Sequence, residues 1–255
     1  MKQMENLQQE IIEYWGKRSR TYAKQHKEEL QASKKNRWQK FLFPKLVTSE
    51  KKIKKILDVG TGPGFMAILL SEAGYEVTAI DFTQEMLEEA KNNAGSYKDK
   101  INWLKMDAQD LVFEDQTFDA VITRNLTWNL ENPVLAYQEW FRVLKKKGIL
   151  INVDANWYRY LYDEQIYKKY KKDRLITKKY QIKDYYENTD IPMMEHIARE
   201  IPLSKEIRPN WDEEVLKKLG FEQVVTVTDI NSLVLDKVEQ INFNFSPLFF
   251  IQAVK

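Results

Sequence analysis

Three stretches of this chain hold residues whose types and spacing suit recognition of a nucleoside-like ligand. In Ile56-Leu57-Asp58-Val59-Gly60-Thr61-Gly62-Pro63-Gly64, an apolar run ends in three glycines at alternate positions. A strand that closes in such a turn and opens a helix lets a ligand approach the backbone closely, and the helix N-terminus offers unpaired N–H groups. The spacing is not the G-x-G-x-x-G that cradles a dinucleotide pyrophosphate, which disfavours a nicotinamide-dependent oxidoreductase. Asp81 ends the next apolar run, 17 residues past Gly64. A carboxylate there can accept hydrogen bonds from both ribose hydroxyls. The plainer reading of Asp81 is a cap for the helix that starts near Thr83. Asp107-Ala108 ends the third run, placed to meet an adenine edge.

Composition narrows the chemistry available around such a ligand. The 255 residues include no Cys and only two His, His26 and His196, which excludes disulfides, thiolate zinc sites, a cysteine nucleophile and a multi-histidine metal centre. No metal site is expected. His26, among Lys24, Gln25 and Lys27, reads as solvated; His196 is a candidate base, with an ordinary surface or core histidine as the plainer reading. The net charge of +2 is too small to mark a nucleic-acid binder. Its distribution is uneven, with +9 over residues 1–55, −7 over 56–156, +3 over 157–190 and −3 over 191–255. Apolar runs such as Phe65 to Leu70 fall far short of the roughly 20 residues that span a bilayer, and Met1 to Asn6 has no apolar signal core. A soluble, cytoplasmic protein without membrane insertion is expected.

These residues need a scaffold, and the hydrophobic pattern supplies one. Leu7, Ile11, Tyr14, Trp15, Tyr22 and Leu30 are spaced for a helix over 4–30, and a second helix at 33–43 ends at Pro44, before a solvated turn at 49–52. Strands are expected at 53–59, 75–80, 101–106, 118–123 and 148–153, alternating with helices that end near Ala73, Asn93 and Leu144. That alternation means βαβ units and a parallel sheet covered on both faces. The pattern breaks from 156 to 208, where eight of the 13 Tyr fall between Tyr158 and Tyr186, mixed with Lys. A helical insertion is expected there. A helix over 211–219 and strands at 221–228 and 247–254 follow.

Residues 53–153 resemble the core of class I S-adenosylmethionine-dependent methyltransferases, in particular the ubiquinone/menaquinone-biosynthesis-like group of small-molecule enzymes. The resemblance rests on Asp58 to Gly64, Asp81-Phe82-Thr83-Gln84-Glu85-Met86-Leu87, Met106-Asp107-Ala108, Phe118-Asp119-Ala120-Val121 and Glu139 to Gly148. It implies an α/β, Rossmann-like seven-stranded sheet of order 3-2-1-4-5-7-6 with strand 7 antiparallel. Residues 1–45 would be an N-terminal helical lid on a methyltransferase domain at 46–255, with 156–208 as a helical cap between strands 5 and 6. The implied cofactor is S-adenosyl-L-methionine, giving S-adenosyl-L-homocysteine as product. Asp58, Gly60, Thr61, Gly62 and Gly64 would then form the cofactor loop, and Asp81 would hold the ribose. Phe82 or Met86 would flank adenine, Asp107 and Ala108 would read its nitrogens, and Thr123-Arg124-Asn125 would lie beside the sulfonium. Tyr14, Trp15, Arg18 and Tyr22 match a pattern that folds over the cofactor in a close subgroup. There Arg18 would pair with the methionine carboxylate, or Tyr14 and Tyr22 would hydrogen-bond it; ordinary helix packing is the plainer reading.

Displacement at a sulfonium obliges neither a metal nor a covalent nucleophile, so positioning carries most of the chemistry. Loops after strands four and five would wall the acceptor. That nominates Asn125, Trp128 and Asn129, then Asp154, Asn156, Trp157 and Tyr158. Asp154 is the candidate base or cation-binder, with a loop hydrogen-bonder as its plainer role; Asn125 is a second catalytic candidate. The expected partner is a small-molecule substrate, on a monomer or homodimer. An RNA substrate and a non-catalytic cofactor-binding module are the alternatives. The Tyr-rich part of the insertion, residues 157–190, interleaves Tyr with Lys as RNA-binding surfaces do, but six acids dilute its nine bases.

Overall fold

Two helices, α1 (Lys2–Glu29) and α2 (Ala32–Leu42), precede the alternating region in the computed structural model, which describes residues 2–47, 52–187 and 189–255. Residues 49–51 of the expected turn lie outside the described residues. Then come β1 (Lys55–Val59), α3 (Phe65–Glu72), β2 (Glu76–Asp81), α4 (Gln84–Ala94), β3 (Ile101–Lys105), β4 (Phe118–Arg124), α5 (Pro133–Val143) and β5 (Leu144–Asp154). The region after β5 holds α6 (Glu164–Lys179) and α7 (Ile191–Glu200), helical as its composition suggested. The chain ends with α8 (Asn210–Lys218), β6 (Glu222–Val227), α9 (Asn231–Val234), α10 (Lys237–Asn242) and β7 (Phe249–Val254).

The sheet order is β3-β2-β1-β4-β5-β7-β6. Strands β1 to β5 are parallel, and β7 runs antiparallel to β5 and β6. Every residue of β4 is buried, which is why its centre, Ala120-Val121-Ile122, is continuously apolar rather than alternating. Its side chains still divide by period two. Ala120 and Ile122 join Ile56, Phe65, Trp38 and Leu42 under α2 and α3, whereas Val121 joins Leu57, Tyr137, Trp140 and Leu216 under α5 and α8; Phe118, put out of phase by the irregularity between it and Ala120, joins the second group. Burying each such large side chain contributes about 1.5–3 kcal/mol, and Trp38 and Trp140 are the bulkiest of them.

Strand β5 starts at Leu144, four residues before the expected start at Gly148. The extension carries a register shift against β4 between Phe118 and Ala120. A Cβ at Gly148 would lie 2.6 Å from the Lys145 carbonyl oxygen, so glycine is required where the strand doubles past itself. Residues 229–246, unassigned from the sequence pattern, contain α9 and α10. The latter is opened by a capping box in which Asp236 accepts from the Glu239 N–H and Glu239 accepts from the Asp236 N–H.

Candidate functional site

Loops after β1, β2, β3 and β4 converge at the carboxyl edge of the parallel strands, where ligands of open α/β sheets bind. With one face of α1 they line a first chamber, partly open to solvent, with about 1040 Å³ of empty space. Gly60, Thr61 and Gly62 line it after β1, Asp81, Phe82, Thr83 and Met86 after β2, and Met106, Asp107, Ala108 and Gln109 after β3. The β4 end adds Arg124, Asn125, Asn129 and Leu130. From α1 come Gln8, Ile11, Ile12, Trp15, Tyr22 and His26.

The glycines differ in what they do. A Cβ at Gly62, which has φ +51°, would meet only Tyr22 at 3.8 Å, so its backbone faces open space. Gly64 does not line the chamber. It has φ +90°, and a Cβ there would press on the Ala90 Cβ at 3.0 Å and the Trp103 ring at 3.3 Å, so its role is close packing of the loop on α4. Gly60 at φ +65° is hemmed by Leu126 in the same way. Asp58 is buried and accepts from the Thr61 hydroxyl at 2.6 Å, tying the turn together. Burial pushes its carboxyl up to about 6, against the opposing effect of the Thr61 bond.

Asp81 accepts the Gly62 N–H at 2.8 Å through one oxygen and the Thr83 N–H at 2.9 Å through the other. Part of its work is therefore local, as the capping alternative held, and burial raises its pKa. The Thr83 hydroxyl and the Phe82 N–H also bear on this carboxylate, so much of its acceptor capacity serves the loop itself. Asp107 likewise accepts from Gln8 Nε2 at 3.1 Å and from the Gln109 N–H at 2.8 Å. An open glycine backbone, a two-oxygen acceptor beside it and a carboxylate at the next strand end fit the turn, diol and amino edge of an adenosyl group.

A second chamber, also partly open to solvent and with about 900 Å³ of empty space, adjoins the first. Trp15, Tyr22, His26, Arg124 and Asn125 line both. Its remaining wall is largely aromatic, with Trp38, Trp128, Trp157, Tyr158, Tyr185, Tyr186 and Phe243, together with Arg18, Gln25, Glu29 and Glu239. Trp128 stacks on Tyr158 at 5.1 Å between ring centres. Asn125, at the shared boundary, has φ +57°, a left-handed conformation that asparagine tolerates, and its N–H donates to the Val153 carbonyl at 2.9 Å. Its buried Oδ1 has no partner.

The structure corrects two readings from the sequence. His26 is 5% exposed rather than solvated. Arg124 Nη2 lies 3.2 Å from its Nε2 and donates to Glu29 at 2.7 Å. Burial, reinforced by the Arg124 charge, holds the imidazole well below its ordinary pKa, so it is neutral. Since Arg124 is a donor only, Nε2 acts as acceptor and the proton resides on Nδ1, which has no partner. Asp154 ends β5 at the expected edge but lines neither chamber. Its carboxylate accepts from Arg208 Nη1 at 2.7 Å and from the Trp128 N–H at 2.9 Å, with no exposed side-chain surface. It is the loop hydrogen-bonder of the plainer reading, and what it holds is Trp128. Asn156 bonds the Arg208 backbone, and His196 is largely exposed, 3.6 Å from Glu10.

Of the other candidates, Tyr14 is buried against Trp15 and lines neither chamber, while Arg18 lines the second and not the first. Asn129 lines the first chamber only, and Trp128, Trp157 and Tyr158 line the second. Sequence reasoning passed over Gln8, His26, Glu29, Tyr185 and Tyr186. Three of these carry a readable signal, since Gln8, Trp15, Tyr22, His26 and Glu29 recur at helical spacing on one stripe of α1. Among the described residues no cluster of three metal-ligating side chains occurs, and no helix is long and apolar enough to cross a membrane.

Comparison with known proteins agrees with this geometry. Residues 57–152 match the family model described as a methyltransferase domain. A ubiquinone/menaquinone biosynthesis C-methyltransferase of Desulfotalea psychrophila is 35% identical over 121 residues, covering 47% of this chain and 48% of that protein. The chain thus matches about half the length of such relatives. Among solved structures, the protein in complex with the Haloferax volcanii Trm112 methyltransferase activator aligns with TM-score 0.61 at 17% identity, over 92% of this chain and 94% of that one. The Haemonchus contortus phosphoethanolamine N-methyltransferase 2 bound to S-adenosyl-L-methionine aligns with TM-score 0.55 at 16% identity, over 85% and 52%. These two likenesses show a shared fold.

Proposed function

With residues 57–152 matching a methyltransferase-domain family, we propose that this chain is a class I S-adenosylmethionine-dependent methyltransferase that transfers a methyl group to a small-molecule acceptor held in the second chamber. The observation that carries the reading is the boundary between chambers, where Trp15, Tyr22, His26, Arg124 and Asn125 face both spaces. Bound S-adenosylmethionine supplies a methyl on a positively charged sulfur, a leaving group that needs no proton. The chain's own residues then have to bind, align and exclude water.

Asp81 would accept the ribose hydroxyls, Asp107 would meet the adenine amino group, and Gly60, Thr61 and Gly62 would pass the amino-acid end. Arg124 would otherwise repel a sulfonium, but Glu29 neutralises it at 2.7 Å. His26, neutral with a proton on Nδ1, serves as a hydrogen-bond donor rather than a base. Holding acceptor and donor in line can supply roughly 7–11 kcal/mol of the barrier at most. Residues 1–45 and the cap at 156–208 act as a lid that keeps water out of both chambers. A side-chain-walled chamber suits a small molecule better than an RNA strand, and the biosynthetic names of the relatives point the same way.

Calorimetry with S-adenosylhomocysteine tests this reading. The wild type is expected to bind, and Asp81→Ala to bind roughly 10- to 100-fold more weakly through loss of charge-assisted hydrogen bonds. Absence of wild-type binding, or equal binding by the variant, would refute it.

A further inference from the structure

The charges around the second chamber are balanced except for one. Arg124 pairs with Glu29 at 2.7 Å, Glu239 pairs with Lys34 at 2.8 Å, and His26 is neutral. Arg18 forms no ion pair with any described carboxylate. Its Nη1 donates to the Tyr14 hydroxyl at 3.1 Å, and its guanidinium carbon lies 5.8 Å and 5.5 Å from the Trp15 and Tyr22 ring centres. Its buried Nε has no partner, and neither has the buried indole N–H of Trp157 on the same wall. Two buried donors without acceptors are costly to leave so, at about 1–3 kcal/mol each.

From this arrangement, and resting on the reading of the second chamber as the acceptor site, we infer that the acceptor is a compact aromatic molecule carrying an anionic oxygen group that pairs with Arg18. The ring is required by the walls. Trp15, Trp128, Trp157, Tyr158, Tyr186 and Phe243 line it with aromatic surface, which favours a planar partner in offset-stacked or edge-on contact. The anion is required by Arg18, whose planar fork matches a carboxylate or phenolate bidentately. A cationic acceptor is disfavoured, because both carboxylates of the chamber already have partners. The other anion that could claim Arg18 is the carboxylate of the cofactor itself. Arg18 lines the acceptor chamber and not the cofactor chamber, which favours the acceptor.

The test uses the whole chain saturated with S-adenosylhomocysteine and three matched probes, 4-hydroxybenzoate, 4-hydroxybenzamide and tyramine. Binding is followed by quenching of Trp fluorescence and by calorimetry. The anionic probe is expected to bind at least tenfold tighter than the neutral one, and tyramine weakest. Arg18→Gln should abolish that preference, Arg18→Lys should retain part of it, and the affinity for S-adenosylhomocysteine should change less than threefold in both. Equal binding of the three probes, a preference for tyramine, or failure of all three on the saturated protein would overturn the assignment. So would an Arg18→Gln variant that loses S-adenosylhomocysteine tenfold while keeping its probe preference, which would give Arg18 to the cofactor. If S-adenosylhomocysteine itself fails to bind the wild type, the methyltransferase reading falls instead.

Discussion

Asp58 and Asp81 end neighbouring strands and were both legible in the sequence, yet they do different work. Asp81 lines the first chamber and accepts from the loop N–H groups of Gly62 and Thr83; Asp58 is folded into the turn and bonds Thr61. Burial raises the Asp58 pKa from 3.8 to about 6, so the folded state binds its proton more tightly than the unfolded chain. The stability this contributes is fully present below about pH 4 and is lost as pH rises through 6. Comparing denaturant unfolding of wild type and Asp58→Asn without ligand, the difference in stability should move toward the variant by up to about 2–3 kcal/mol between pH 4 and pH 7; a constant difference would contradict it. His26 was misread because its sequence neighbours are lysines. On a helix those neighbours point elsewhere, and the residues that share its face are Tyr22 and Glu29, four before and three after.

Among the elements, the sheet and its order were readable because a sheet covered on both faces demands long apolar runs. The short helices α9 and α10 were not, although Asp236 and Glu239 spell a capping box. Nor could spacing reveal the partner of Asp154, since Arg208 lies 54 residues away, in the segment just before α8, and only the folded chain brings the two together. Arg208 also binds Asp212 with both Nε and Nη2, at 2.9 and 2.7 Å, and Tyr137 donates to the same carboxylate. Burial works against the Arg208 charge, but the two carboxylates outweigh it and raise its pKa. Arg208→Met should cost about 3–5 kcal/mol in urea unfolding, because it strands buried carboxylates, whereas a loss under 1 kcal/mol would contradict this account. Gly64→Ala should destabilise by roughly 1–3 kcal/mol, combining a left-handed φ with contact on Ala90, and a neutral effect would show that the loop gives way freely.

For the molecule as a whole, the uneven charge read from the sequence takes a concrete form. Lys34 of α2 meets Asp236 at 3.0 Å and Glu239 at 2.8 Å, Lys35 meets Glu72 at 2.9 Å, and Lys183 pairs with Glu28 between the cap and α1. Lys34 also donates to the Tyr185 hydroxyl, so one ammonium links α2, the cap and α10 beside the second chamber. Lys34→Met should loosen this closure and speed limited trypsin cleavage of α1 and α2 several-fold, with S-adenosylhomocysteine restoring protection; unchanged cleavage would mean that the apolar contacts of α1 hold the lid alone. The central claim, that cofactor and acceptor divide two chambers meeting at Asn125, is tested most directly by a crystal structure with S-adenosylhomocysteine bound. The account predicts ribose hydroxyls on Asp81, adenine beside Asp107 and the sulfur turned toward Asn125 and the aromatic chamber. A ligand seated among Trp128, Trp157 and Tyr158, or a sulfur turned away from that chamber, would contradict it.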